Sequence, residues 1–309
     1  MKKMRFISAL ALAAGAVSFA GISRADISGS VKLAGDAPEA AELDMAAVKE
    51  CAEQHADPVM DPSVMVGEGG SLGNVIVSIK TDDPTSLGGE VSTDPVELDQ
   101  EGCMYKPHVL SMSAGQDLVV KNSDPFLHNV HSLATINPAF NFGQPNKDPG
   151  KKIPDAPKAA EVFRVKCDVH PWMSAYIGVF EHPFHAVTGE DGKFEIKGTV
   201  PDGDYTLVAW HEKFGEQEQA VTIKDGKPAT DVEFSFDAAS AMGEPVIGEV
   251  TVAAATVSKG KEGGACKSCC EGSKKVARDS EGKKDEKKSE TAEEKQPGKK
   301  SDDQTKAGN

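Results

Sequence analysis

Four side chains from two separated stretches have the types and spacing of a soft-metal site. Cys167, His170 and Met173 fall in the run Cys-Asp-Val-His-Pro-Trp-Met, and His128 stands earlier in Asn122-Ser-Asp-Pro-Phe-Leu-His128-Asn-Val-His131. One thiolate, two imidazoles and a thioether are the donors that hold copper in a trigonal His₂Cys plane capped by a weak axial Met, the ligand set of a blue (type 1) electron-transfer centre. A soft thiolate bonds copper covalently, imidazole suits both Cu(I) and Cu(II), and a long thioether tunes the potential without forcing a new geometry. A tetrahedral structural zinc built from Cys167, His170, His128 and His131 is the chemical alternative. The position of Met173, the β context and the export signal favour a single copper ion.

A rigid scaffold must hold these donors from two directions. From Asp26 to about Asp237 the chain reads as β-structure, in short alternating or β-branched runs broken by Gly, Pro and Asp-Gly. The expected strands include Ile27 to Leu33, Val75 to Lys80, Val109 to Met112, Leu118 to Lys121, Val162 to Lys166, Ile177 to Phe180, Phe194 to Lys197, Tyr205 to Trp210 and Ala220 to Ile223. Asp191-Gly192, Asp202-Gly203 and Asp225-Gly226 read as tight turns. One helix is predicted from Asp44 to Gln54, with Asp44 as its N-cap. Short strands at this spacing predict an all-β fold of sandwiches or barrels.

Two family resemblances interleave along this region. Residues 96–182 resemble a cupredoxin. Pro107-His-Val-Leu-Ser-Met-Ser-Ala-Gly115-Gln-Asp-Leu-Val-Val-Lys-Asn122 is similar to the strand, Ala-Gly turn and strand before the first ligand. His128-Asn129-Val130 resembles the His-Asn-Val of plastocyanins and amicyanins, and Cys167 to Met173 resembles the amicyanin ligand loop. That match implies a Greek-key sandwich with His128, Cys167, His170 and Met173 as the ligands of one type 1 copper. Ile27-Ser-Gly29-Ser-Val31 with Asn74 to Ile79, and Thr188 to Ile196 with Pro201 to Leu207, resemble the two halves of a carboxypeptidase-regulatory-like (transthyretin-like) sandwich. The layout expected is residues 26–90 and 183–237 as that sandwich, with the cupredoxin-like 96–182 inserted in it or abutting it. Two tandem domains are the rival.

Around the ligands, Asn129 is expected to clamp backbone near the Cys167 loop, and Asp124 to brace the same turn. Pro125, Phe126, Leu127, Pro171 and Trp172 are expected to cluster near the His170 edge as an apolar docking patch, core aromatics being the alternative for Phe126 and Trp172. His131 lies on the strand face of Asn129, opposite Val130, and is not expected to ligate. His108, His182, His185 and His211 have no spacing that forces a site and read as surface or hydrogen-bonded histidines.

Residues 1–25 read as a secretory signal: Lys2, Lys3 and Arg5 precede an apolar stretch, and Ser23-Arg24-Ala25 offers a cleavage site before Asp26. No membrane span is expected after cleavage, and the destination is the periplasm or another exported compartment. Export permits disulfides. With Cys167 assigned to the metal, Cys51 and Cys103 remain as a candidate disulfide whose geometry the sequence leaves open. Residues 238–309 read as linker and a disordered Lys/Glu-rich tail. In it Cys266, Cys269 and Cys270 suit disulfides, or a Cu(I) site as the alternative.

The whole chain carries −15. The signal holds four basic and no acidic residues, and 259–309 holds 14 basic against 11 acidic, so residues 26–258 carry −22. That argues against nucleic acid, which demands a basic surface, and suits either a cationic redox partner such as a basic cytochrome or a periplasmic oxidoreductase, or solubility in a salty habitat. With all four metal positions filled by protein donors and no nucleophile-elbow or phosphate-loop pattern, an enzyme is not expected. The leading function is an exported copper electron carrier. The alternative is an exported binding module, for carbohydrate or cell surface, with a structural metal.

Overall fold

A computed structural model describes residues 26–242. The signal at 1–25 and the tail with Cys266, Cys269 and Cys270 lie outside the described residues. The first third holds β1 (Ile27–Ala34) and β2 (Ile76–Lys80), with single-turn helices α1 (Lys49–Ala52) and α2 (Pro84–Leu87). Nine strands follow: β3 (Val96–Gln100), β4 (Tyr105–Lys106), β5 (Val109–Ser113), β6 (Leu118–Asn122), β7 (His128–Ser132), β8 (Asn141–Gln144), β9 (Asp148–Lys152), β10 (Glu161–Lys166) and β11 (Ser174–Phe180). The last six are β12 (His185–Val187), β13 (Lys193–Ile196), β14 (Gly203–His211), β15 (Gly215–Lys224), β16 (Lys227–Pro228) and β17 (Val232–Asp237). The fold is all-β, and among the described residues no helix is long and apolar enough to cross a membrane.

The sheets sort by chain position. β1 and β2 join the last six strands in two sheets, β13-β1-β17 and β12-β2-β14-β15-β16. The nine middle strands make two others, β5-β11-β10-β7-β8 and β4-β3-β6-β9. Most neighbours are antiparallel, but β1 with β17, β3 with β6 and β5 with β11 run parallel.

Three apolar layers join the four sheets. Val31, Phe194, Phe234 and Phe236 pack on Val77, Ile79, Leu207 and Val221 in the outer sandwich. Leu98, Leu118 and Val120 pack on Phe163, Val165, Ile177 and Val179 in the middle one. Ile76, Val109, Val162, Tyr176, Phe180 and Trp210 fill the junction between them. β2, β11 and β14 serve a core on one face and the junction on the other, which is why Ile-Val-Ser-Ile and Ala-Tyr-Ile-Gly-Val-Phe read as continuous buried runs rather than alternating ones. β17, with one face on the core, keeps the strict alternation Val-Glu-Phe-Ser-Phe-Asp. Gly178 leaves room for the facing sheet, since a Cβ there would meet Ile76 Cδ1 at 2.8 Å.

Two sequence expectations are corrected. The helix from Asp44 to Gln54 is absent: Val48 is extended (φ −127, ψ 102) between a 3₁₀ turn at Met45–Ala47 and α1, and Asp44 makes no side-chain cap. Met45, Val48 and Cys51 are spaced for packing on the middle sandwich, and that tertiary demand overrides the helical pattern. Residues 41–61 instead form a strap closed by Leu43 N–H to Val59 O and Asp61 N–H to Ala41 O, each 2.8 Å. Asp202-Gly203 is not a turn of its own. The Asp202 carboxylate accepts from the N–H groups of Asp225 and Gly226, both at positive φ, and so caps the turn between β15 and β16.

The junction also holds imidazoles. His182 Nε2 bonds Ile79 O at 2.9 Å, and His185, stacked on Phe180, bonds Ser111 Oγ at 2.8 Å. Burial holds both below the usual imidazole range, His185 at about 4, and burial with the nearby His108 holds His211 at about 3. The unfolded chain takes up these protons near pH 6.5 and the folded chain does not, so stability is lost as pH falls from 6.5 toward 4. Thermal unfolding followed from pH 7 to pH 4 should show a falling midpoint, and His185→Gln should flatten that slope; an unchanged slope would remove His185 from the account.

Candidate metal centre

The loop Ser123–Leu127 delivers His128 to the first position of β7. Asn122 gathers it, its Nδ2 donating to the carbonyls of Phe126, Gln144 and Asn146 at 2.9 to 3.1 Å while its Oδ1 accepts from Asp124 N–H at 3.0 Å. Cys167 and His170 lie on the connection from β10 to β11, which closes on itself: Cys167 N–H donates to Met173 O at 3.2 Å and Met173 N–H to His170 O at 3.0 Å.

These elements bring His128, Cys167 and His170 together. All three are buried, and their donor atoms lie within 4.8 Å of one another. His128 Nδ1 and His170 Nδ1 are 3.0 Å apart, and Cys167 Sγ is 3.7 Å from His170 Nδ1. Met173 is fully buried in the same apolar cluster as Cys167. Lone pairs of two imidazoles and a sulfur converging at a buried point are a donor set that fits a soft, redox-active metal.

Asp124 sets the orientation of His128. Its Oδ2 bonds His128 Nε2 at 2.8 Å, leaving Nδ1 to face the sulfur, and the carboxylate also accepts from Gly102 N–H and Cys103 N–H at 2.9 Å each. Burial alone would raise the Asp124 carboxyl, but these hydrogen bonds overcome it and hold the group down at about 2. Burial opposes charge on His128 as well, and the bond to Asp124 raises it. At Cys167 burial pushes the thiol up, while His128, His170 and the N–H groups of His170 and Asn129 pull it down to about 6. A thiolate at neutral pH is the form that ligates.

Asn129 spans to the ligand loop: its Oδ1 accepts from Asp168 N–H at 3.1 Å, and its Nδ2 donates to Asn141 Oδ1 at 2.7 Å and Phe142 O at 3.1 Å. His131 points elsewhere, pairing with Asp168 at 2.9 Å on the surface, so the four-ligand zinc set that includes it is not assembled. Pro125, Leu127 and Pro171 are exposed and Phe126 and Trp172 half-buried, yet His170 itself is only 2% exposed. Phe126 and Trp172 flank its ring at 6.5 and 5.4 Å.

Cys51 on α1 and Cys103 form a disulfide, Cα atoms 5.6 Å apart, and this bond pins the strap directly beside His170, a placement that carries no sequence signal. Trp172 Nε1 donates to Cys103 O at 3.0 Å, His55 Nε2 bonds Gly102 O at 2.8 Å, and Tyr105 OH donates to Asn129 O. The apolar spacing of Leu43, Met45, Val48 and Val59 is the trace that the strap leaves in the chain.

No family model and no curated protein sequence matches this chain. Among solved structures, a Cu-containing nitrite reductase from Thermus scotoductus is similar over 32% of this chain and 25% of its own, at 22% identity and a TM-score of 0.25. An oxidised proline-to-glycine mutant of amicyanin is similar over 33% of this chain and 97% of its own, at 19% identity and a TM-score of 0.25. A purple cupredoxin from Nitrosopumilus maritimus covers 27% and 97%, at 20% identity and a TM-score of 0.22. The chain thus spans a quarter of the nitrite reductase.

Asp124→Asn keeps the shape and removes the charge. The expected outcome is a loss of about 1–3 kcal/mol in urea unfolding at neutral pH and of roughly 10–100-fold in metal affinity by chelator competition. Undiminished affinity would show that the carboxylate does not orient His128.

Proposed function

We propose that this is an exported protein that holds one type 1 copper ion through His128, Cys167, His170 and Met173 and carries electrons. The observation that carries the reading is the convergence of His128 Nδ1, His170 Nδ1 and Cys167 Sγ in a buried pocket, with His128 oriented from behind by Asp124. A copper ion bound there would supply a one-electron Cu(I)/Cu(II) couple.

The protein side of that chemistry is restraint. Asp124 and Asn129 hold the first imidazole and the ligand loop to neighbouring backbone, so donor positions need not change with the charge of the ion. Four protein donors leave no position for a substrate, which makes the proposal a carrier rather than an enzyme. The partner is a redox protein with a cationic face. Residues 36–61, whose Cys51 borders the site, hold eight carboxylates against one lysine, and seven of the eight are exposed. Exposed Leu127 and Val169, 44% and 43% accessible and each adjacent in sequence to a proposed ligand, offer apolar contact.

Adding Cu(II) to the protein and recording the visible spectrum beside Cys167→Ser tests the reading. An intense thiolate-to-copper band is expected in the parent and absent in the variant. A parent that stays colourless while binding Zn(II) tightly would instead indicate a structural metal.

A further inference from the structure

Two further groups of donors border the four proposed ligands, each sharing an imidazole with them. The Cys51 and Cys103 sulfurs and a nitrogen of His170 lie within 4.8 Å of one another, all buried, and Cys103, Asp124 and His128 form another group at the same spacing. The disulfide is thus part of the wall of the metal centre. A staple for the strap could have been placed anywhere along it, whereas this one abuts a ligand ring.

Cys103 is also held independently of its bond to Cys51. Its backbone is left-handed (φ 56), which aims its N–H at Asp124 and its carbonyl at Trp172 Nε1. Cys51 is carried by a strap that packs Leu43, Met45, Val48 and Val59 on the middle core. With the S–S bond open, both thiols would still face His170.

We propose that the reduced chain holds a Cu(I) entry site formed by Cys51, Cys103 and His170, and that disulfide formation closes it once the ion has moved on to the Cys167 centre. Paired thiolates with one imidazole select the soft monovalent ion, and its binding releases the two thiol protons. Closure is a thiol–disulfide exchange with an oxidised dithiol oxidoreductase. As the ion leaves, the two thiolates take up two protons from solvent; the Cys51–Cys103 bond then forms and the oxidoreductase disulfide breaks, receiving those two protons and two electrons as two thiols. His170 belongs to both sites, so the proposal is of one ion that passes from the first to the second. The ion's destination rests on the copper reading above, but the entry site does not need it.

The test uses the full chain with Cys266, Cys269 and Cys270 changed to Ser, so that the tail cannot bind Cu(I). In that background Cys167→Ser with His128→Ala removes the proposed centre and keeps the entry site. Reduced with a phosphine under nitrogen and titrated with Cu(I) against a chromophoric chelator, it should retain one ion per chain. Its oxidised form should retain none, and adding Cys51→Ser and Cys103→Ser should weaken binding more than roughly tenfold. Equal retention in the reduced and oxidised forms, or no loss on removing both thiols, would overturn the proposal. Should that variant fail to fold, X-ray absorption of Cu(I) in the reduced chain carrying Cys167→Ser alone decides: two sulfurs per copper are expected before oxidation, and fewer than two refutes the entry site. Cu(I) capture with no visible band after oxidation would sink the electron-transfer reading alone, and a band without capture would sink the entry site alone.

Discussion

A single buried carboxylate organises the centre. Asp124 draws together the N–H groups of Gly102 and Cys103 and the Nε2 of His128, tying a loop, a disulfide and a ligand to one point. Each bond to a charged acceptor contributes about 1.5–3 kcal/mol, enough together to keep the group ionised where burial would protonate it. The direction of His128 Nδ1, the place of the disulfide beside His170 and the anchoring of the strap all follow from that arrangement.

The second constraint is that the centre's scaffold lies inside another sandwich's chain. Sharing the junction obliges β2, β11 and β14 to be apolar on both faces, and the polar groups admitted there are mostly paired, His211 Nε2 being a buried exception. His108 bonds Glu212 across the junction with both side chains buried, and bonds Ser174 O at 3.1 Å, next to Met173. The ligand loop is therefore braced on one side by the strap and on the other by the neighbouring sandwich. A rigid frame of this kind suits donors that should not move when charge changes.

The chain discloses some of this more readily than the rest. Cys167, His170 and Met173 are legible because donors proposed for one metal lie a few residues apart, and strands such as β6 and β13 because a one-sided core forces alternation. β8 and β9 leave little trace: both are edge strands, β9 contains Pro149 and Gly150, and most of their residues face solvent. The strap misleads because Met45, Val48 and Cys51 serve a partner surface that only the tertiary fold supplies. The orienting role of Asp124 depends on Gly102 and Cys103, some twenty residues away, and no local pattern announces it.

The parallel pairing of β1 with β17, in which Gly29 faces Val232, sets an order of assembly. Synthesis from the N-terminus releases the nine central strands before the last partner of β1 has appeared, so the unit that carries the candidate site can be complete while β1 still lacks β17 along one edge. Non-local closure of that sort is slow. A nascent chain at that stage would carry the central strands complete and the edge of β1 open, and an unpaired edge is where misassociation begins.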